Sequence, residues 1–364
     1  MRRILSLSVI AALAAAVLFF GCQRQPLNVG VILPLSGDAA KYGEEAKRGI
    51  DLAVTEAKDV SVKTIFEDDQ NTPAAAVSAF NKLVATSKVP IIIGPMTSSP
   101  AMAVAPEAEK DRVVILSPAA SNPALTSAGD YFFRNWPSDV YEASAMAKYA
   151  AGNMGMKRVA VIGVTADYGT GLARVFSDAF RAAGGEIVVT ESYDQGAKDF
   201  RAQLAKVKAV NPDGVYLPGY YAEIGPLLRQ AKEVGLKSQF ISCVGFDNPK
   251  VLELAGNAAE GVVFARPYYD PSSQDPKIKA FVERFKTEYG IDPGVYAAHA
   301  YDAANIVLQI IRGGATTAAA IKDALYKTKD FPGVTGSTTF DTNGDVVKPI
   351  QFIRVSGGRF TATK

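Results

Sequence analysis

Short apolar runs alternating with longer amphipathic ones constrain this chain more than any other feature. Residues 27–33 (LNVGVIL), 91–93 (III) and 113–116 (VVIL) are nearly uninterrupted apolar stretches, the pattern of strands buried on both faces of a parallel sheet. Residues 62–67 and 131–134 add two further strands. Between them, 42–57, 73–87 and 101–110 carry apolar residues at helical spacing, with Pro73 well placed at a helix start. After a helix from Ser138 or Asp139 to about residue 153 the rhythm restarts. Strands are expected at 158–164, 186–191, 214–217, 239–243 and 261–265. Helices are expected at 169–183, 199–210, 221–234 and 249–255. Strands and helices in this alternation give an α/β architecture of two doubly wound parallel-sheet lobes. At 364 residues the chain is long enough for two cores.

From about residue 275 the pattern changes. Helices at 277–289, 296–312 and 317–328 follow one another with no strand between, and they need a sheet to cover. The first lobe, with fewer helices of its own, is their expected home. The end of the chain, 337–341 and 350–355, is β-like around the turn Thr342-Asn343-Gly344-Asp345. Crossings near 136, 268 and 347 would join the lobes by a three-stranded hinge, a geometry that allows a cleft to open and close. The expected division is a signal segment at 1–21, a tether at 22–26, lobe 1 at 27–138 plus 268–346, and lobe 2 at 139–267 plus 347–364.

Two loops stand out. The run 91–93 ends in Gly94-Pro95-Met96-Thr97-Ser98-Ser99, and 113–116 ends in Ser117-Pro118-Ala119-Ala120-Ser121-Asn122-Pro123. In open α/β sheets ligands bind at the carboxyl ends of strands. Hydroxyls there, beside free N–H groups of a helix start, suit a small anion such as a carboxylate. The same residues also read as ordinary helix caps, and the loops by themselves leave both readings open. Aromatics occupy equivalent places: Tyr42 after the first strand, Tyr168 after the first strand of lobe 2, Tyr220-Tyr221 after 214–217, and Trp136 at the first crossing. Together they would line one small-molecule cleft.

Other chemistry is poorly represented. The single histidine, His299, lies mid-helix with no matching nucleophile, and the cysteines are two, Cys22 and Cys243. A zinc site or a Cys–His pair is therefore not expected. Neither Asp68-Asp69 nor Glu44-Glu45 has metal-ligand spacing. The stretch 163–171 (GVTADYGTG) is not G-x-G-x-x-G and lacks a P-loop lysine. Lys and Arg number 39 against 37 Asp and Glu, with no basic block, so nucleic acid is not an expected partner. We expect no enzyme, no cofactor and no metal.

The N-terminus reads as a targeting segment: Arg2 and Arg3, an apolar run over 4–20, then Gly21-Cys22. A small residue before Cys resembles a bacterial lipobox, in which the thiol is diacylated. Phe19 and Phe20 are bulky for that motif, and a plain signal peptide or membrane anchor remains the alternative. Gln23, not Asp, follows the cysteine, which favours the outer membrane where a cell has one.

Taken in order, ILPLSGDAAKYGEEAKRGIDLAV, IIIGPMTSSPAMAVAP, VILSPAASNPALT, YFFRNWPSD, DYGTGLA, GYYAEIGPLLRQAKEVGLKSQF, LAGNAAEGVVF and YAAHAYDAANIV resemble the branched-chain amino-acid (Leu/Ile/Val) binding proteins of ABC importers. The resemblance covers essentially everything after Cys22 and implies the type I periplasmic binding protein fold. It implies that Ser98 and Ser121 hold a ligand carboxylate beside Ala120, and that the Ala119 carbonyl and Ser121 also serve the ammonium. Tyr42, Tyr168 and Tyr220 match its aromatic positions. Two departures follow. The disulfide common in the family has Gln70 or Asn71 and Thr97 at its positions. The acid that usually pairs with the ammonium from lobe 2 is Val244, so either Asp247, three residues on, reaches the cleft or the ligand lacks an amine. Asp247 also reads as a helix cap. The implied role is a monomeric, exported receptor that captures a small carboxylate, an aliphatic amino acid first, and docks on an ABC permease. A non-amine acid or amide, or a sensing role without transport, are the alternatives.

Overall fold

The three isoleucines of β3 (Ile91–Ile93) explain how the first lobe is layered. In the computed structural model, which describes residues 25–363, β3 pairs in parallel with β4 (Val114–Ser117) and with β1 (Leu27–Leu33). The signal segment 1–21 and Cys22 lie outside the described residues. Ile91 and Ile93 face one core and Ile92 the other, because side chains alternate along a strand. Both faces are covered, which is why the run has no polar alternation. β2 (Val62–Asp68) and β5 (Phe132–Arg134) complete an all-parallel sheet of order β2-β1-β3-β4-β5.

On the Ile92 face lie α2 (Pro73–Ser87) and α3 (Ser98–Asp111), through Ala76, Phe80, Leu83, Val104 and Ala108. On the other lies α1 (Ala40–Glu56), after the loop from β1. Across α1 runs α10 (Val295–Arg312), the most buried helix of the fold, and the two approach closely at Gly49. A Cβ there would stand 2.2 Å from the Ala297 carbonyl oxygen, so the crossing requires glycine.

The second sheet has seven strands. Its parallel part comprises β6 (Arg158–Val164), β7 (Glu186–Tyr193), β8 (Gly214–Leu217), β9 (Gln239–Ser242) and β10 (Val263–Pro267). Its two last strands in sequence, β13 (Ile350–Ser356) and β14 (Arg359–Ala362), form one edge in the order β14-β13-β10-β9-β8-β6-β7. α4 (Asp139–Gly152) precedes the parallel strands, and the helices between them are α5 (Asp167–Ala182), α6 (Arg201–Val210), α7 (Tyr221–Glu233) and α8 (Pro249–Ala255). After β10 come α9 (Pro276–Tyr289), α10 and α11 (Ala318–Lys327) without an intervening strand. α9 contacts α1, and α11 contacts α10 and β4.

The chain end is more strand-rich than its pattern indicates. β11 (Phe331–Gly333) and β12 (Gly336–Thr338) form a separate hairpin, and the expected run at 337–341 contributes no more than its first residues. β13 (Ile350–Ser356) adds antiparallel to β10 and turns back as β14 (Arg359–Ala362). The chain thus passes between the sheets after β5, after β10 and before β13. At the first passage Arg134, fully buried, forms a two-pronged ion pair with Asp345 (2.6 and 2.8 Å) and donates to the Asn122 carbonyl at 2.9 Å. That pair pins the 342–345 turn to β5 and fixes the loop following β4. No helix among the described residues is long and apolar enough to cross a membrane.

Candidate functional site

Each sheet has a point where consecutive connections depart in opposite directions: between β1 and β3 in the first, between β6 and β8 in the second. Loops separate there and leave a crevice at the strand carboxyl ends. The two crevices face one another around a narrow cavity with room for only a few water-sized centres, about 30 Å³.

The first lobe contributes Tyr42 from α1, Met96, Thr97 and Ser98 from the β3–α3 junction, Ala119 and Ser121 from the loop after β4, and Tyr296 from the first turn of α10. The second contributes Tyr168 from α5, Tyr220 after β8, and Val244 and Gly245 after β9. The tyrosine rings are walls, because most of their hydroxyls are engaged elsewhere. Tyr42 donates to the Gly245 carbonyl and accepts from the Tyr221 N–H at 3.0 Å. Tyr168 accepts from the Gly245 N–H at 3.1 Å, and Tyr296 donates to the Val244 carbonyl at 2.9 Å. Tyr168 and Tyr220 stack at 5.2 Å. Burial holds the Tyr42, Tyr168 and Tyr296 phenols well above their usual pKa, so they remain neutral. Such walls suit an aliphatic group.

The polar side is the start of α3. Ser98 Oγ accepts from the Asn122 N–H at 3.2 Å, which ties the two ligand loops together. Thr97 holds the cap position without a side-chain capping bond. Its hydroxyl and that of Ser121 are buried, line the cavity and have no protein partner. Free hydroxyls at the positive end of a helix dipole are suited to an anion. The capping reading of this loop therefore fails for Thr97.

Bonds across the crevice show the lobes closed. Besides those of Tyr42 and Tyr296, Asn122 Nδ2 donates to the Asp167 carbonyl at 2.6 Å and the Asp167 N–H donates to Ser99 Oγ at 3.0 Å. Gly171 permits the first, since a Cβ there would lie 2.8 Å from Asn122 Nδ2.

Three expected site residues are not on the cavity wall. Asp247 is drawn away by Arg266 Nη1 at 2.6 Å, and the helix cap is its neighbour Asn248, accepting from the Lys250 N–H at 2.9 Å. Trp136 lies one layer back, stacked on Tyr296 at 5.4 Å. Ala120 is fully buried with its N–H donated to Ser117 Oγ at 3.0 Å. Conversely, Met96, Thr97, Gly245 and Tyr296 line the cavity without having been singled out as site residues. Tyr296 follows no strand, so the strand-end rule does not reach it. His299 is buried with Nδ1 2.7 Å from the Asn135 carbonyl, and Cys243 is a buried thiol whose pKa burial pushes up to about 12.

Two α/β lobes, three connections and a closed aromatic cavity with an anion-accepting helix start define a hinge-type solute receptor. The chain matches the family model described as "Periplasmic binding protein" over residues 26–359, and it belongs to that family. It is 31% identical over 347 residues to "Leu/Ile/Val-binding protein homolog 3" of Brucella melitensis, covering 93% of each chain. It superposes with TM-score 0.87 on a leucine binding protein of Thermotoga maritima, at 32% identity over 93% of this chain and 98% of that one. With the same score it superposes on a branched-chain amino acid transporter substrate binding protein of Streptococcus pneumoniae in complex with isoleucine. There the identity is 30%, over 93% and 99% of the two chains.

Proposed function

We propose that this chain is the exported solute-binding receptor of an ABC importer and that it closes on a small aliphatic α-amino acid. One observation carries the reading: hydroxyls at the start of α3 face apolar tyrosine walls from the opposite lobe across one narrow cavity. The carboxylate sits at Thr97, Ser98 and Ser121, the ammonium near Ala119 and Ser121, and the side chain among Tyr42, Tyr168, Tyr220 and Tyr296. The bound names of its relatives support the ligand class. The receptor acts as a monomer, delivers ligand to a membrane permease in its closed form, and is anchored by a lipid on Cys22. Mass spectrometry of the membrane-extracted N-terminal peptide tests the anchor, and Cys22→Ser abolishes it.

A second reading, a carboxylate without an amine, is favoured by Val244, an apolar residue facing the ligand space. Thermal unfolding of ligand-stripped protein with leucine or its deaminated analogue 4-methylpentanoate separates the two. A ligand at 100 times its dissociation constant stabilises by about 2.7 kcal/mol. A shift with leucine supports the first reading, a shift with the analogue alone supports the second, and no shift with either rules out both compounds and moves the search to other small acids and amides.

A further inference from the structure

An ammonium enclosed in this cavity needs a negative charge nearby, since an uncompensated buried cation is strongly disfavoured. Val244 supplies none, and Asp247 is committed to Arg266. Two carboxyl groups not committed to an ion pair lie one layer behind the wall, on α4. That helix begins at the first passage between the lobes, and its first turn carries Asp139 and Glu142, 0% and 2% exposed. Glu142 Oε1 accepts from the Val244 N–H at 2.8 Å, while its Oε2 has no protein partner. Both carboxylate oxygens of Asp139 lack one. The Asp139 N–H donates to the Ser121 carbonyl at 2.8 Å, so this helix start is tied to the residue whose buried, unpartnered hydroxyl lines the cavity. The same hydroxyl stands beside the Asp139 carboxylate.

Two carboxylates with three orphaned oxygens in one buried turn are costly for a purely structural role. Burial raises the proton affinity of both, and for Glu142 the charge of Asp139 adds to it. Around them stand Arg134, which favours the Asp139 anion, Asp247, which opposes that of Glu142, and the neutral Tyr168, Tyr296 and Cys243.

We propose that the Asp139–Glu142 pair supplies the negative charge that positions the ligand's ammonium, in place of an acid at position 244. The ammonium donates to Ser121 Oγ, and that hydroxyl turns its own proton toward Asp139. Glu142, held at the Val244 backbone, shares that charge with Asp139. The inference rests on the amino-acid reading above.

The test is calorimetric titration of leucine and 4-methylpentanoate into wild type, Glu142→Gln and Asp139→Asn. Glu142→Gln is isosteric and keeps an acceptor for the Val244 N–H, so it should fold even if Asp139→Asn does not. The expected result is a loss of leucine affinity of roughly tenfold or more, with analogue affinity changed less than about twofold. A variant that weakens both ligands equally, or neither, overturns the inference and leaves the amino-acid reading standing. Wild type that binds the analogue alone, or neither ligand, removes the amino-acid reading and this inference with it.

Discussion

Tyr42→Phe tests whether the closed state is held by the bonds that span the crevice. The Tyr42 hydroxyl donates to the Gly245 carbonyl and accepts from the Tyr221 N–H. Both partners belong to the opposite lobe, so both bonds form on closure; in an open form water takes their place. Phenylalanine keeps the ring, its 4.8 Å contact with Tyr296 and its 5.0 Å contact with Tyr221. What it removes is two hydrogen bonds, each worth about 1 kcal/mol net, and it leaves a buried N–H and C=O poorly satisfied at about 1 kcal/mol more. The closed form should therefore lose about 2–3 kcal/mol relative to the open one, which is a 30- to 150-fold weaker apparent affinity by the rule of 1.4 kcal/mol per decade. The change should fall mainly on ligand release. Trp136 is the single tryptophan and stacks on a residue of the cavity wall, so its fluorescence can report binding and release in stopped flow. A dissociation constant within about threefold of wild type refutes the latch, because the removed bonds should cost at least a decade. An equal loss in the unfolding free energy of ligand-free protein refutes it differently, by showing that the hydroxyl stabilises the first lobe and not closure.

Gly171→Val should obstruct the Asn122–Asp167 contact and weaken leucine binding by about tenfold, with unfolding of ligand-free protein changed far less; calorimetry with urea unfolding reads both. Asp247→Ala leaves Arg266 buried without its counter-charge and should cost about 3 kcal/mol in urea unfolding, while the ratio of leucine to 4-methylpentanoate affinity stays unchanged. His299 is held neutral by burial, its pKa lowered to about 3. The unfolded chain then binds the extra proton first, so His299 contributes stability above pH 6.5 that is lost as pH falls toward 3, by about 1.4 kcal/mol per unit. His299→Asn should remove that slope. The stability difference between wild type and variant at pH 7 should shrink by about 2 kcal/mol at pH 5 in urea titrations, and a difference independent of pH would refute the assignment.

The legible parts of the fold are those where one physical signal dominates. Ile91–Ile93 and Val114–Ser117 read as buried parallel strands because both faces of each are covered, which leaves no polar alternation to mislead. β11 was invisible because Phe331–Gly333 holds a proline and a glycine, and β14 because Arg359–Ala362 is largely exposed and pairs at an edge. In the site, aromatics at strand ends were legible in Tyr42, Tyr168 and Tyr220, all on the cavity wall. Tyr296 was not, since it reaches the cavity on a helix with no strand before it. Asp247 misled through proximity in sequence to Val244: its partner Arg266, 19 residues further on, decides which way it turns. Asp139 read as a possible cap, yet Ser138 accepts from the Val140 N–H at 3.4 Å and holds that place. The carboxylate thereby released is the one that stands behind Ser121.

The polar groups without protein partners give closure its direction. Once the lobes meet, the hydroxyls of Thr97 and Ser121 are sealed from solvent, Thr97 with nothing of the protein to bond and Ser121 with only the Asp139 carboxylate beside it, an unmade bond costing about 1–3 kcal/mol. Bonds across the crevice, two at Tyr42 and one each from Tyr296, Asn122 and Asp167, offset that cost at about 0.5–1.5 kcal/mol apiece. A molecule that presents a carboxylate to the two hydroxyls satisfies them, and its apolar part covers rings contributed by both lobes. It therefore favours the closed form by the difference in its contacts with the two states. A ligand with the right side chain and no anion fills the walls but leaves the hydroxyls unsatisfied. An anion too small to reach Tyr168 and Tyr220 satisfies the hydroxyls without drawing in the second lobe. Selectivity for one molecule that does both follows from dividing the site between the lobes: recognition of the head group and of the side chain are coupled through a single hinge.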